Sequence, residues 1–238
     1  MILYFIRHGD PIYAPDSLTE LGKRQAEAVA KRLAMHGIDE IYSSTSNRAK
    51  MTAQPLSEII KKPINELDWC NECYAWEEFT VTNEQNKTNW MFWDKAVRNK
   101  FRSKEILLLG NKWYEDTFFD KKVEKGVKRI NAEIDGFLSQ FGFIHNRENA
   151  IYEVRRNCDK RIVLFAHQGF SMMFFSSLLD IPYPLFSTHF DITHTGVSTI
   201  YFPDNLGEEV IPKILSFSND SHIYKEDLPT KFCNGFYI

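Results

Sequence analysis

The chain opens on an apolar run without polar interruption, Ile2-Leu3-Tyr4-Phe5-Ile6. A short continuous run of this kind predicts a strand covered on both faces, as in the centre of a parallel sheet. The pattern then changes period. A helix is expected from Thr19-Glu20-Leu21-Gly22 through Met35, with Thr19 as N-cap and Gly37 as its stop. A second strand falls at Glu40 to Tyr42. The cap-forming cluster Ser43-Ser44-Thr45-Ser46-Asn47 then introduces a helix from Arg48 to Ile60, which Pro55 is expected to kink. A third strand near Ile64 to Leu67 completes a βαβαβ half. That order predicts an α/β fold, a doubly wound three-layer sandwich with a mostly parallel central sheet.

From Thr82 to Asn149 the character changes to long polar, helix-prone stretches studded with aromatics, among them Trp90, Trp93, Trp113 and Phe119. The best helix there lies between Lys121 and Phe141. The segment reads as an inserted helical cap, about residues 82–150, on a single domain covering residues 1–238. Strand character returns at Arg161 to Ala166, followed by a helix over Phe170 to Leu179 and strands near Val197 to Phe202 and Val210 to Phe217.

Composition narrows the range of functions. With 29 Lys and Arg against 32 Asp and Glu, the net charge of −3 offers no electrostatic case for nucleic-acid or anionic-membrane binding. A small molecule is the expected partner. No apolar run approaches the roughly 20 residues of a spanning helix, and the start lacks the basic region and cleavage site of a signal peptide. A cytoplasmic location is expected. Cys70, Cys73, Cys158 and Cys233 are too few for a disulfide framework in a chain of 238 residues and are read as reduced thiols. The pair Cys70 and Cys73 has no second pair to complete a zinc site and is read as coincidence. Nothing in the sequence sets the oligomeric state.

The chemistry concentrates directly after predicted strands, where open α/β sheets bind their ligands. Three segments qualify: Ile6-Arg7-His8-Gly9, Ser44-Thr45-Ser46-Asn47-Arg48-Ala49, and Phe165-Ala166-His167-Gln168-Gly169. An imidazole attacks phosphorus only as the neutral base, and cations such as Arg7 and Arg48 lower the pKa of His8. The same guanidinium forks match the equatorial oxygens of a phosphoryl group. Gly9 is expected to let the backbone approach the phosphate. His167 would add a hydrogen-bond donor, and Gln168 with the helix start behind it would present free backbone N–H groups.

In these motifs the chain resembles the histidine phosphatase superfamily, also called phosphoglycerate mutase-like. The resemblance rests on Arg7-His8-Gly9, on Leu18 to Gly22 with Gln25-Ala26, on Ser44 to Ala49 with Thr52-Ala53, and on His167; it covers roughly residues 1–60 and 161–202. It implies a nucleophilic His8, a phosphohistidine intermediate, then attack by water or another acceptor, without metal or cofactor. It also implies a carboxylic acid after the third strand, for which Glu72, Glu77 and Glu78 are candidates. Glu72 is chosen as the first of them, ahead of Trp76-Glu77, which looks like the family's tryptophan-glutamate step.

His194 falls where the family's chain returns to the site, but a structural role is preferred for it and for His36, His145, His189 and His222. Lys95, Arg98, Lys100, Arg102 and Lys104 are read as a solvated helix face; the alternative is a substrate lid recognising the anionic remainder of a metabolite. The expected activity is a phosphomonoester phosphatase on a small phosphorylated metabolite. The mutases of the family follow Arg-His-Gly with Glu, whereas this chain has Asp10-Pro11 and no matching Asn before Ser17, which disfavours a mutase. The remaining alternatives are a non-catalytic phosphate-binding module and a metal-dependent phosphatase, the latter without a ligand cluster to support it.

Overall fold

The fold is taken from a computed structural model, which describes residues 1–83, 85–233 and 236–237, with side chains as far as Thr230. Strand β1 (Ile2–Arg7) leads into a small hairpin of β2 (Pro11–Tyr13) and β3 (Asp16–Leu18), then into α1 (Glu20–Ala34). Thr19 caps α1 as expected, its hydroxyl accepting from the Gly22 N–H at 3.0 Å. After β4 (Glu40–Ser44), Ser46 caps α2 (Asn47–Ile60), which continues through Pro55 and ends at Lys61 in the left-handed region, with φ of 53°. Next come β5 (Ile64–Leu67) and α3 (Glu72–Phe79), the latter capped by the side chain of Asn71.

The hairpin β6 (Thr80–Thr82) and β7 (Thr88–Trp90) follows, then the short helices α4 (Lys95–Phe101) and α5 (Lys104–Leu109) and the long α6 (Lys121–Ser139). After β8 (Phe143–Asn146) and β9 (Ile151–Val154), the chain re-enters the main sheet as β10 (Arg161–Ala166) and leaves it through α7 (Gln168–Leu179) and α8 (Tyr183–His189). The last elements discussed are β11 (Val197–Tyr201), β12 (Glu209–Val210), β13 (Lys213–Asn219) and α9 (Ser221–Lys225). The expected strand from Val210 to Phe217 is thus split at Ile211-Pro212, where proline has no N–H to give a ladder.

The central sheet has the order β13-β11-β1-β10-β4-β5. β1, β10, β4 and β5 run parallel, while β11 and β13 add an antiparallel edge. Because side chains alternate across a strand, β1 feeds two cores at once. Leu3 and Phe5 pack with Ile130, Ile134 and Phe137 of α6 and with Phe170 and Phe174 of α7, whereas Tyr4 and Ile6 pack with Val29 and Leu33 of α1 and Ala53 and Leu56 of α2. This is the predicted three-layer arrangement.

The stretch read as a helical cap divides in two. Residues up to Phe119 carry a hairpin and short helices, but α6 is a core helix of the sandwich. Its residues Val127, Ile130, Ile134 and Leu138 are buried in the same cluster as the sheet residues Leu3 and Leu164. The polar face of α6 gave it the look of a cap helix, while its apolar stripe covers the sheet. β8 and β9 join β12 in a separate three-stranded sheet. No helix among the described residues is long and apolar enough to cross a membrane. Cys70 and Cys158 are buried free thiols and Cys73 an exposed one; the side chain of Cys233 lies outside the described residues.

Candidate active site

Four neighbouring parallel strands, β1, β10, β4 and β5, deliver the charged residues to one end of the sheet. His8 follows β1 and keeps the ladder going one step further, its N–H donating to the Ala166 carbonyl at 2.9 Å. His167 follows β10 directly, Arg48 stands in the first turn of α2 behind β4, and Glu72 opens α3 behind β5. These residues do not depend on long loops for their placement, so their relative positions inherit the rigidity of the sheet.

His8 is only 1% exposed. Its Nδ1 lies 2.8 Å from the Gly9 carbonyl, which can only accept, so Nδ1 carries the proton and Nε2 keeps the lone pair. Burial, more than Arg7 and Arg48 beside it, pushes the His8 pKa well below the usual 6.5 and holds the ring neutral. From the sequence the two cations are the expected cause; desolvation is the larger one.

The expected role of Gly9 also changes. Its N–H donates to Thr52 Oγ1 at 3.0 Å, and Thr52 in turn donates to the Arg48 carbonyl at 2.7 Å. A Cβ at position 9 would stand 2.6 Å from the Gly22 carbonyl oxygen. Glycine is required there because the loop is pressed against α1.

Arg48 is the hub of the cluster. Nη1 donates to Asp16 Oδ1 at 2.8 Å, and Nη2 donates to Glu72 Oε2 at 3.0 Å and to His167 Nδ1 at 3.2 Å. Its guanidinium also lies over the Tyr13 ring, 5.4 Å from the centroid. Because a guanidinium only donates, His167 Nδ1 is the acceptor and Nε2 carries the proton, which goes to Ser44 Oγ at 2.8 Å. Burial, followed by the nearby His8, Arg48 and Arg7, lowers the His167 pKa well below 6.5. Arg7 is anchored by Nη1 on the Ile192 carbonyl at 2.7 Å.

The helix start behind β10 is used differently from expectation. α7 begins at Gln168, two residues earlier than the sequence suggested, and its Gly169 N–H donates to Glu72 Oε1 at 2.9 Å. That N–H fixes the carboxylate, with Arg48 holding the other oxygen. The Gln168 side chain donates to Asp191 at 2.7 Å and borders the cavity.

The three acid candidates separate cleanly. Glu72 lines the cavity. Glu77 is exposed outside it, and Glu78 is buried in a two-pronged pair with Arg129, at 2.8 and 2.6 Å. His194 is also buried, its ring centroid 5.8 Å from that of His8 and its Nδ1 3.6 Å from Asp10; it braces the His8 loop and does not line the cavity.

The cavity that Arg7, His8, Arg48, Glu72 and Gln168 share has a volume of about 730 Å³. Its other walls, Tyr13, Asn71, Cys73, Trp76, Trp90 and Trp93, were not assigned to a site from the sequence. Asp16, Ser44 and Ser46, which hold Arg48 and His167, were also missed as supports; the clustering of serines at the end of β4 signalled Ser44 and Ser46, and nothing local signalled Asp16. Lys95, Arg98 and Arg102 line a separate cavity with Asn99, Thr188 and His189. Lys100 pairs with Asp116 at 2.9 Å. Lys95 and Arg102 fit the solvated-face reading there, while Arg98 also lines a cavity that shares Trp93 with the main one.

One ligand atom from each of His8, Glu72 and His167 falls within 4.8 Å of the others, a spacing that could hold a metal ion. The guanidinium of Arg48 already donates to two of the three and Arg7 adds a second fixed positive charge, so a cation would be repelled where an anion is welcomed.

A family profile, the histidine phosphatase superfamily (branch 1), matches residues 3–134, more than half of the chain. No curated protein matches the sequence. Similar solved structures include a phosphoserine phosphatase from Entamoeba histolytica, with a TM-score of 0.58, 18% identity and coverage of 93% of this chain and 98% of that one. A mycobacterial glucosyl-3-phosphoglycerate phosphatase has a TM-score of 0.58 at 17% identity, with 92% and 98% covered. A putative alpha-ribazole-5'-P phosphatase from Escherichia coli has 0.57 at 18%, again with 92% and 98% covered. At these identities the likeness is one of fold. With the profile match and the strand-end cluster together, the chain belongs to the histidine phosphatase superfamily, branch 1.

Proposed function

We propose that the protein is a phosphomonoester phosphatase that works through a phosphohistidine on His8. The observation that carries this reading is the His8 Nδ1 contact with the Gly9 carbonyl, which leaves Nε2 as a neutral nucleophile beside two guanidinium groups. In the first step Nε2 forms a bond to phosphorus while the bond from phosphorus to the leaving oxygen breaks. Glu72 gives that oxygen a proton, and the departing alcohol is neutral. In the second step Glu72 takes a proton from water, the resulting hydroxide attacks phosphorus, and the N–P bond breaks to return His8 and release inorganic phosphate.

Arg7 and Arg48 carry the charge of the transferring oxygens in both steps. In this reading His167, which accepts from Arg48 at Nδ1 and does not itself line the cavity, orients that guanidinium toward the phosphoryl oxygens. Gln168 borders the same space. The neighbours in fold act on small phosphorylated compounds by their descriptions, which supports a substrate of that kind. No step requires a metal or organic cofactor.

The test is turnover of a panel of phosphorylated metabolites by wild type and His8→Ala, with acid-quench trapping of labelled enzyme. The reading expects phosphate release and an acid-labile, base-stable phosphoenzyme, both lost in His8→Ala. A non-catalytic binding module would form no such adduct. Isomerisation of a phosphoglycerate with a trace of bisphosphoglycerate, without net phosphate release, would show a mutase instead.

A further inference from the structure

Tryptophan dominates the part of the cavity that the phosphoryl chemistry does not use. Trp76 meets Trp90 edge to face at 5.0 Å and 89°, Trp90 is stacked on Phe92 at 5.7 Å and 13°, and Phe92 meets Trp93 at 5.3 Å and 74°. These contacts make one continuous aromatic array from α3 across to the turn before α4. Trp90 is its anchor. It is 5% exposed and lies so close to Gly169, in the first turn of α7, that any Cβ there would run into the indole.

The two ends of the array are open. Trp76 is 42% exposed and Trp93 43%, and both border the same cavity as His8. Large aromatic side chains left open around a concave site mark a surface made to be covered. At about 730 Å³ the cavity has room for far more than a phosphoryl group.

The charges on the cavity wall point the same way. Among the described residues lining it, the cations are Arg7 and Arg48, and both are needed by the phosphoryl group itself. Lys95, Arg98 and Arg102 border a different cavity of about 410 Å³, and Arg98 also lines a further cavity that shares only Trp93 with the main one. Within this cavity a second anionic group on the substrate therefore meets no guanidinium or ammonium of its own among the described residues, whereas a ring meets indole faces and edges.

We propose that the substrate is a phosphomonoester whose alcohol carries an aromatic ring, and that Trp76, Trp90 and Trp93 bind this ring and set the specificity. The proposal rests on the reading of His8 as the phosphoryl acceptor. The ring can belong to an arylalkyl alcohol or to a nucleoside, since both present a flat apolar surface to an indole. Ring stacking of this kind is worth about tenfold or more in affinity.

The experiment compares benzyl phosphate, adenosine monophosphate, ethyl phosphate and phosphoserine, in kcat/KM and in calorimetric binding. Their leaving alcohols are all aliphatic and of comparable basicity, so chemical reactivity does not favour the ring. The proteins are wild type, Trp76→Ala, Trp93→Ala and the conservative Trp76→Phe. The two alanine changes are at half-exposed positions and spare the buried anchor Trp90.

At least one of the two ring-bearing substrates is expected to exceed ethyl phosphate about tenfold or more. Each alanine variant should remove most of that advantage, read as the ratio of ring-bearing substrate to ethyl phosphate within the same protein, and Trp76→Phe should retain it. Which of the two ring-bearing substrates leads identifies the source of the ring. Parity of both with ethyl phosphate, a preference for phosphoserine, or equal losses on every substrate in the alanine variants would overturn the proposal. If none of the four is hydrolysed, the phosphatase reading fails on its own. Calorimetric preference for a ring would then still uphold the specificity, and calorimetric parity would still overturn it.

Discussion

The two halves of the cavity are built on opposite principles. The phosphoryl half is assembled at the ends of four adjacent strands, and its groups are already committed to one another: Arg48 to Asp16, Glu72 and His167, Glu72 to Gly169, and His8 to Gly9. The aromatic half comes from α3, β7 and the turn before α4, outside the central sheet, and its end rings stand open. Electrostatic stabilisation is strongest when dipoles and charges need not reorganise during the reaction, which suits a buried and fully braced centre. Apolar recognition tolerates variation, because any flat surface gains from covering an indole. The charged groups therefore take their geometry from the sheet and the aromatic walls from elements outside it, and the two meet at α3, which carries both Glu72 and Trp76.

The sharpest way to break this comparison is Arg48→Gln. It removes the donor to Glu72 and His167 and one of the two guanidinium groups proposed to hold the phosphoryl group, so kcat/KM should fall by about 10²- to 10³-fold on every substrate. Arg98→Gln, at the separate cationic cavity, should change it by less than about twofold. A larger loss at Arg98 on anionic metabolites alone would favour the lid.

A smaller effect, on stability, is expected where the two halves share a support. The buried pair of Glu78 and Arg129 ties α3, which carries both Glu72 and Trp76, to α6. Arg129→Met leaves the Glu78 carboxylate buried without its partner and should cost about 3 kcal/mol, read as a lowered midpoint in urea. If Glu78→Gln together with Arg129→Met recovers most of that loss, the cost is the orphaned charge.

The smallest effect is in protonation. Burial is the leading cause of the low His8 pKa, with Arg7 and Arg48 after it, so the ring stays neutral as pH falls through 6.5 and gains its proton only well below. The imidazole nitrogen shifts of His8 should remain those of the neutral ring at pH 6.5. In Arg48→Gln the titration should move upward only in part, because desolvation remains. A full return to the ordinary histidine range would make the cations the main cause.

Much of the phosphoryl half was legible in the sequence, for a local reason. A residue directly after a short apolar strand has little freedom in where it lies, so Arg7, His8 and His167 could be placed from the strands alone, and Arg48 from the serine caps before its helix. Glu72 was reachable only through the family resemblance, because three glutamates stand close together and the partners that separate them, Arg48 and Gly169 for Glu72 and Arg129 for Glu78, are remote in sequence. The role of Gly9 and the commitment of the α7 N–H to Glu72 were hidden for the same reason. The aromatic half was not legible at all as a site. A tryptophan in a polar segment says nothing about which cavity it faces, and α6 looked like part of a cap because its apolar stripe reveals no partner until the sheet is in place.

The nitrogen that takes the phosphoryl group is the most direct test of a catalytic His8 that attacks through Nε2. Phosphorus NMR and mass spectrometry of the quenched phosphoenzyme should locate a single phosphoryl group on His8, at Nε2, because the Nδ1 proton is held by the Gly9 carbonyl. A phosphoryl group at Nδ1 of His8, on His167, or on a carboxylate would contradict it.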